Sequence, residues 1–269
     1  MLGMQNTQYP SDLTDTEWKI LQPFLPPRRK RGRPPTDRRL VLNAIRYVLR
    51  SGCAWRMLPR HFGPWSTIYD LYRRWVKGGL WQKIHDRLRD KVRQADGRRP
   101  QPTAAVLDSQ SVKLGDQGGP CGYDAGKKIK GRKRHILVDT LGLLLGVYVG
   151  PASEQDRDGA KTLLARVIGW YQRLAKIWAD GGYAGALVAW VKALRPRGQL
   201  HLDIVRRSDQ VCGFKVLPKR WLVERTFAWL FKQRRLARDY ERRLEHSEAW
   251  LYIAMSGLML RRLATQRQK

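Results

Sequence analysis

Two apolar runs in the sequence end on a carboxylate: Val106-Leu107-Asp108 and Ile177-Trp178-Ala179-Asp180. Short runs of this kind read as buried strands, and in open α/β sheets ligands gather beyond the strand ends. A third carboxylate, Glu224, lies in Arg220-Trp221-Leu222-Val223-Glu224-Arg225-Thr226-Phe227, where Val223, Phe227 and Leu230 make an apolar helical stripe. Together the three offer an all-oxygen ligand set with no His or Cys beside it, which suits Mg²⁺ or Mn²⁺ and argues against zinc. Two such ions could activate a water or a sugar hydroxyl and stabilise the leaving oxygen of a phosphodiester. Taken singly, each acid also has a plainer reading. An Asp at a strand end is commonly a turn or N-cap residue, as Asp139 before Thr140-Leu141-Gly142 is read here, and Glu224 is spaced as an i+4 partner of Arg220. The trio stands out by its order: first strand, fourth strand, last helix of the catalytic half.

The elements that must position these acids follow from pattern. Ala104 to Leu107 is a strand, and a Gly-rich loop runs from Gly115 to Gly126. His135 to Asp139 and Leu143 to Gly150 then form a hairpin about Gly142. Helical spacing from Arg157 to Leu174, a strand over 176–180, a helix over 184–194, a strand over 200–205 and a helix over 219–236 complete the order βββαβαβα. The expected fold is therefore an α/β unit on a mixed five-stranded sheet. Ahead of it, Gly97 to Pro102 reads as a boundary, dividing the chain into a helical unit at 1–96, a linker at 97–103 and a catalytic unit at 104–269. The helical unit should contain a helix over 14–25 opened by a Thr14/Glu17 capping box, and a second from Asp37 to Gly52. A third should run from an N-cap at Ser66 to Lys77, and a fourth from Trp81 to Val92. Such helices joined by Gly/Pro turns suit a helix-turn-helix type module, and equally a plain bundle with a basic face.

Charge bears on the partner. Lys and Arg number 53 against 23 Asp and Glu, a net +30, while 42% of residues are hydrophobic, so the positive charge sits on a folded surface. Nucleic acid is the leading partner and a membrane surface the second. The longest apolar stretch, Leu141 to Val149, is about half of the ~20 residues a spanning helix needs. Polar residues near Met1 argue against a signal peptide, and three scattered cysteines, Cys53, Cys121 and Cys212, fit neither a disulfide framework nor a zinc site, so a reducing cytosol is expected. Within the basic surplus, Arg31 and Arg33 flank Gly32 in an arm at 28–39 suited to a narrow minor groove, or to a merely basic linker. Lys127, Lys128, Lys130, Arg132, Lys133 and Arg134 lead into the second strand, either as a phosphate-tracking rail or as a solvated edge. Tyr183 after Gly181-Gly182 suits base stacking or packing equally, and Trp221 and Trp229 are read as core.

On these residues the chain resembles a DDE transposase of the insertion-sequence-five type. The likeness runs through Leu13 to Trp18, Arg31-Gly32-Arg33-Pro34 and Gly52-Cys53-Ala54-Trp55-Arg56 in the first part. In the second it runs through Asp108 to Lys113, Gly122 to Lys128, Gly131 to His135, Asp156 to Ala160, Ala179 to Tyr183 and Arg220 to Leu230. The resemblance implies a ribonuclease-H-like catalytic domain with Asp108, Asp180 and Glu224 as its catalytic and metal-binding triad. It also implies an enzyme that binds the terminal inverted repeats of a bacterial insertion sequence as double-stranded DNA, cuts at the element ends and transfers the 3′-hydroxyls into target DNA, acting as a homodimer or higher oligomer. Arg220 matches the helper arginine of that helix, but Leu217 and Phe231 stand where a Tyr and a Lys are usual. Lys232, one residue on, and Arg235 are the candidate replacements for the missing phosphate contacts. A ribonuclease-H-like nuclease without strand transfer, or a transposase-derived regulator, would share much of this pattern.

Overall fold

A computed structural model describes residues 9–27, 36–195, 200–205 and 220–266. The first helix, α1 (Asp15–Leu21), starts at the Thr14/Glu17 capping box, with both reciprocal hydrogen bonds formed. In α2 (Arg38–Ser51) the Asp37 side chain accepts from the Arg39 N–H, and Gly52 ends the helix in the left-handed region at φ +75°. The next helix, α3 (Trp65–Lys77), begins two residues earlier than expected, so Pro64 rather than Ser66 is its N-cap. After a turn through Gly78 and Gly79, α4 (Leu80–Ala95) leads to the sheet. Arg31 and Arg33 lie outside the described residues, as do Cys212 and Leu217.

Among the described residues six strands form one mixed sheet: β1 (Ala104–Lys113), β2 (Gly122–Asp124), β3 (Ile129–Asp139), β4 (Leu144–Pro151), β5 (Lys176–Ala179) and β6 (His201–Ile204). Their order is β2-β3-β1-β5-β6, with β4 also paired to β3. The sixth strand, β2, is a short addition inside the glycine-rich segment, held against Ile129–Gly131. Two strands are longer than their apolar runs. β1 continues past Asp108 to Lys113, and β3 starts six residues before His135, because the two pair antiparallel all the way from Ala105↔Asp139 to Lys113↔Gly131. β1 and β5 are parallel over only three residue pairs, and β5 pairs in parallel with β6.

Alternation along the strands splits the interior into two layers. Ala105, Leu107, Leu137, Leu145 and Ile177 face α5 (Asp156–Val167) and α6 (Ala186–Ala193). Their neighbours Val106, Ile136, Val138, Val147 and Val149 face α7 (Trp221–Phe231), α8 (Leu244–Gln266) and the N-terminal helices. The helix over 157–174 is thus shorter than its pattern, stopping at Val167 before a 3₁₀ turn at Ile168–Trp170. α8 is buried along most of its length and packs against α1, α2, α3 and α4 as well as β4. One continuous apolar core therefore runs from Leu13 and Ile45 through Tyr72 and Trp250 to the sheet. No helix among the described residues is long and apolar enough to cross a membrane.

Candidate active site

Strand register brings the first two acids together. The β1–β5 pairing ends at Val106↔Trp178, and two residues further along the same register stand Asp108 and Asp180. Adjacent strands lie about 4.8 Å apart, and a step of two residues preserves the face, so both carboxylates emerge where the strands stop pairing, on the side covered by α7. Asp108 is half-buried and sits mid-strand rather than at a strand end, its Oδ1 accepting from the Ser109 N–H at 2.7 Å. Asp180 follows β5 directly and caps the short turn Gly181–Tyr183 by accepting from the Gly182 N–H at 2.9 Å.

Glu224 enters from above, in the first turn of α7, with its side chain 61% exposed. Arg220 ties it to the strands. One guanidinium nitrogen stands 3.8 Å from Asp180 Oδ2 and 3.8 Å from Glu224 Oε1. The i+4 arginine partner of Glu224 is thus also its link to Asp180. Burial, together with the nearby charge of Asp180, pushes the Asp108 carboxyl up to about 6, against the hydrogen bond from Ser109 and the charges of Arg220 and Lys127. As the side chains stand, no three potential ligands among the described residues close into a metal-binding group. The donor chemistry nevertheless fits a hard divalent cation: the acids at the crevice, Asp108, Asp180 and Glu224, offer carboxylate oxygens, and the proximity of Asp180 helps to raise Asp108. Arg220 takes the place between Asp180 and Glu224 that a cation would favour.

Beneath Asp108 lies a second polar layer that the sequence pattern did not assign. Ser109 Oγ donates to Asp156 Oδ1 at 2.7 Å, Lys133 Nζ lies 3.1 Å from Asp156 Oδ1 and 3.6 Å from Asp124 Oδ2, and Ser111 Oγ donates to Asp124 at 2.5 Å. Burial acts to raise the Asp156 carboxyl, but the hydrogen bonds from Ser109 and Lys133 outweigh it and hold the group below its ordinary value. The signal for this layer was present in Asp156 to Ala160 at the start of α5; its partner, Lys133, was obscured by the basic run around it. Tyr183 belongs to the same floor. Its ring is 1% exposed and packs in the core, which leaves no face for a base, and burial beside Asp108 and Asp156 drives its hydroxyl well above 10.

The basic run divides in two. Lys127 and Lys128 are exposed on the β2–β3 turn, Lys128 adopting a positive φ of 54°, and Lys130 is exposed at the start of β3. Arg132, Lys133 and Arg134 are buried, so the expected rail over 127–134 is cut short at Lys130. Arg132 is fully enclosed, pairing with Asp239 at 2.9 Å and donating to Ser247 Oγ at 2.9 Å. Arg134 donates to the Leu236 carbonyl, and burial lowers it to about 10. Arg235, also expected at DNA, is instead buried against Glu241 at 2.6 Å and lies over the Trp250 ring. Enclosed guanidiniums are tolerated when such partners satisfy them, and these arginines are committed to holding the 234–241 segment on the sheet. Lys232 is exposed. Trp221 and Trp229 are not core residues as expected: Trp221 is 42% exposed, Trp229 is half-buried, and Arg225 lies over both rings at 4.4 and 4.7 Å. Asp139 keeps its turn role, accepting from the Leu141 and Leu143 N–H groups, and it also forms a buried ion pair with Arg93.

Residues 99–260, more than half of the chain, match the family described as "Transposase DDE domain". The chain belongs to the DDE transposase family. Residues 13–85 of this transposase match a second family, "Putative transposase of IS4/5 family". Among curated relatives, it is 34% identical over 108 residues to the "Insertion element IS402 uncharacterized 16.2 kDa protein" of Burkholderia cepacia, covering 38% of this chain and 72% of that one. It is 32% identical over 130 residues to the "Putative transposase for insertion sequence element IS402" of the same species, covering 46% and 60% respectively. No solved structure matches the transposase. The family implies a ribonuclease-H-like fold for the sheet and its helices, DNA binding, and nucleic-acid processing that uses divalent metal ions.

Proposed function

We propose that this transposase binds the terminal inverted repeats of its own element, cuts the DNA at the ends and joins each freed 3′-hydroxyl to target DNA, with Asp108, Asp180 and Glu224 holding two Mg²⁺ (or Mn²⁺) ions. The observation that carries this reading is the meeting of a raised-pKa Asp108 with Asp180 at the parting of β1 and β5, under Glu224, in a chain of net charge +30. The ions, when bound, supply activation of a water or sugar hydroxyl and stabilisation of the leaving oxygen. Arg220 balances Asp180 and Glu224, and Lys127 lowers the cost of ionising Asp108. Asp156, fixed by Ser109 and Lys133, keeps the strand beside Asp108 in position.

In the same reading, residues 1–96 form the part that recognises element ends, with α2 and α3 as a helix-turn-helix-like pair and the arm carrying Arg31 and Arg33 in the minor groove. Residues 104–269 form the catalytic part, and 97–103 join them. Lys127, Lys128, Lys130 and Lys232 meet the DNA backbone, and two or more subunits act together, since two element ends must be joined in one event.

The test is a nicking and strand-transfer assay on paired element ends. Asp108→Asn, Asp180→Asn and Glu224→Gln should each abolish Mg²⁺-dependent nicking while DNA binding survives, because each amide removes charge and an oxygen ligand while binding rests on Lys and Arg elsewhere. Glu245→Gln, exposed on α8 away from the crevice, should keep activity within a few-fold. Nicking by Glu224→Gln at the parental rate would remove the third ligand from the assignment, and nicking with no joined product from the parent would favour a nuclease without strand transfer.

A further inference from the structure

Between α2, the C-terminal end of α7 and α8 runs a groove of about 340 Å³. Among the described residues four cations line it, Arg46, Arg50, Lys232 and Arg261, with Trp229 beside them and no Asp or Glu. The fold uses these charges only in part: Arg50 donates through one nitrogen to the Lys232 carbonyl, and Arg46 keeps a donor in reserve. Arg46 donates through Nε to the Ser11 carbonyl and lies 3.4 Å from Glu17, yet its Nη1 is buried with no hydrogen-bond partner among the described residues. Arg261 lies close enough to press on it: burial first, and then the Arg261 charge, depress the Arg46 guanidinium, with Glu17 and Asp12 opposing. A cation with an unused donor, facing a like charge across an open groove, is the arrangement an anion relieves.

The groove is also connected to the active site. The exposed residues of α7 are Trp221, Glu224, Ala228 and Phe231, spaced by three or four, and Lys232 continues them. This open stripe runs from Glu224 to Lys232, which lines the groove beside Trp229. Eight residues at 1.5 Å each span about 12 Å, the rise of roughly three to four base pairs of duplex. Small Ala228 lies midway, where a backbone could approach closely.

We propose that this groove is a second DNA-backbone site, in which Arg46, Arg50, Lys232 and Arg261 receive phosphates a few base pairs from the one that is cut. The inference rests on the transposase reading and deepens it: the site is built jointly by a helix of the N-terminal part and two of the catalytic part, so DNA would bind across both.

The experiment measures binding of the full chain to a random-sequence duplex of about 30 base pairs, in EDTA, as a function of salt. Arg50→Ala with Arg261→Ala should flatten the slope of log K against log salt by about 1.8, at about 0.9 per lost phosphate contact. Lys83→Ala with Lys91→Ala, on the exposed face of α4, removes the same charge and should leave the slope near the parent's. A second variant works in the opposite sense. A Cβ at Gly257 would lie 3.9 Å from Arg46 Nη1, an ordinary contact, so Gly257→Asp sets a carboxylate where the phosphate is placed. It should weaken DNA binding without lowering Tm. An unchanged slope in the Arg50/Arg261 variant, or equal flattening in the α4 control, overturns the groove site while the transposase reading stands. A parent chain with no measurable DNA binding would overturn both.

Discussion

At the scale of single residues, the active crevice stores unfavourable charge. Folding raises the Asp108 carboxyl from 3.8 to about 6, so between those values the native state binds more protons than the unfolded chain and stability falls as pH rises. The cost fades as pH falls through 3.8, where the unfolded carboxyl also takes up its proton, and approaches its full size above about pH 6. Asp108→Asn should therefore come closest to the parent in Tm near pH 4 and exceed it increasingly up to pH 6, with a nearly constant gap beyond, by roughly 2–4 °C for each kcal/mol relieved. Thermal unfolding of both proteins in EDTA across pH 4–8 checks this, and a gap independent of pH would detach the raised pKa from Asp108. Arg132 illustrates the opposite economy, a buried cation whose partners are all in place. Arg132→Met removes the charge and leaves Asp239 enclosed, which should cost about 3–5 kcal/mol in urea unfolding.

At the scale of elements, the strand β3 decides which basic residues can meet DNA. Its pairing with β1 extends to Gly131, so every side chain from Arg132 onward is enclosed by a sheet neighbour or by the 234–241 segment, and of the basic run only Lys127 and Lys128 on the preceding turn and Lys130 at the strand's start stay in solvent. The turn is also where charge can act on the crevice, since Lys127 contributes to the state of Asp108. Lys127→Glu with Lys130→Glu should thus reduce cleavage at element ends by a larger factor than it reduces binding to an isolated terminal repeat. Nicking rates and gel-shift affinities on the same duplex provide the comparison; equal loss in both would assign the turn to general attraction alone. The helix α7 is used on three faces: Val223, Phe227 and Leu230 anchor it, Glu224 faces the crevice, and Arg225 stacks between Trp221 and Trp229.

At the scale of the whole molecule, the apolar core ignores the linker at 97–103. Leu13, Ile45, Ile68 and Tyr72 from the first part share a cluster with Trp250, Met255 and Met259 of α8 and with Val106 and Val147 of the sheet. Separated fragments 1–96 and 97–269 should each expose that surface and aggregate or remain molten, whereas co-expression should recover a folded pair. Circular dichroism and size-exclusion chromatography of the three preparations test it; a cooperative transition in either isolated fragment would give that part a core of its own.

Much of the site was legible in the sequence because its acids sit where local pattern is strong. An apolar run ending in Asp, twice, and a Glu on an amphipathic helix are patterns of neighbouring residues, and the two-residue period of a strand and the 3.6-residue period of a helix convert them into faces without knowledge of the rest of the fold. The Thr14/Glu17 cap and the Asp37-to-Gly52 helix were readable for the same reason. What only the tertiary structure decided is the fate of charge and aromatic surface. Arg132, Arg134 and Arg235 look like DNA contacts in a chain with a surplus of 30 positive charges, and are interior beside Asp239, the Leu236 carbonyl and Glu241, which take up their donors, in Arg134 only in part. For Arg132 and Arg134 those partners lie more than 100 residues along the chain, and for Arg235 the enclosing Trp55 and Cys53 carbonyl come from the opposite end. Whether a guanidinium faces water or carboxylate depends on contacts distant in sequence, and no local period encodes them.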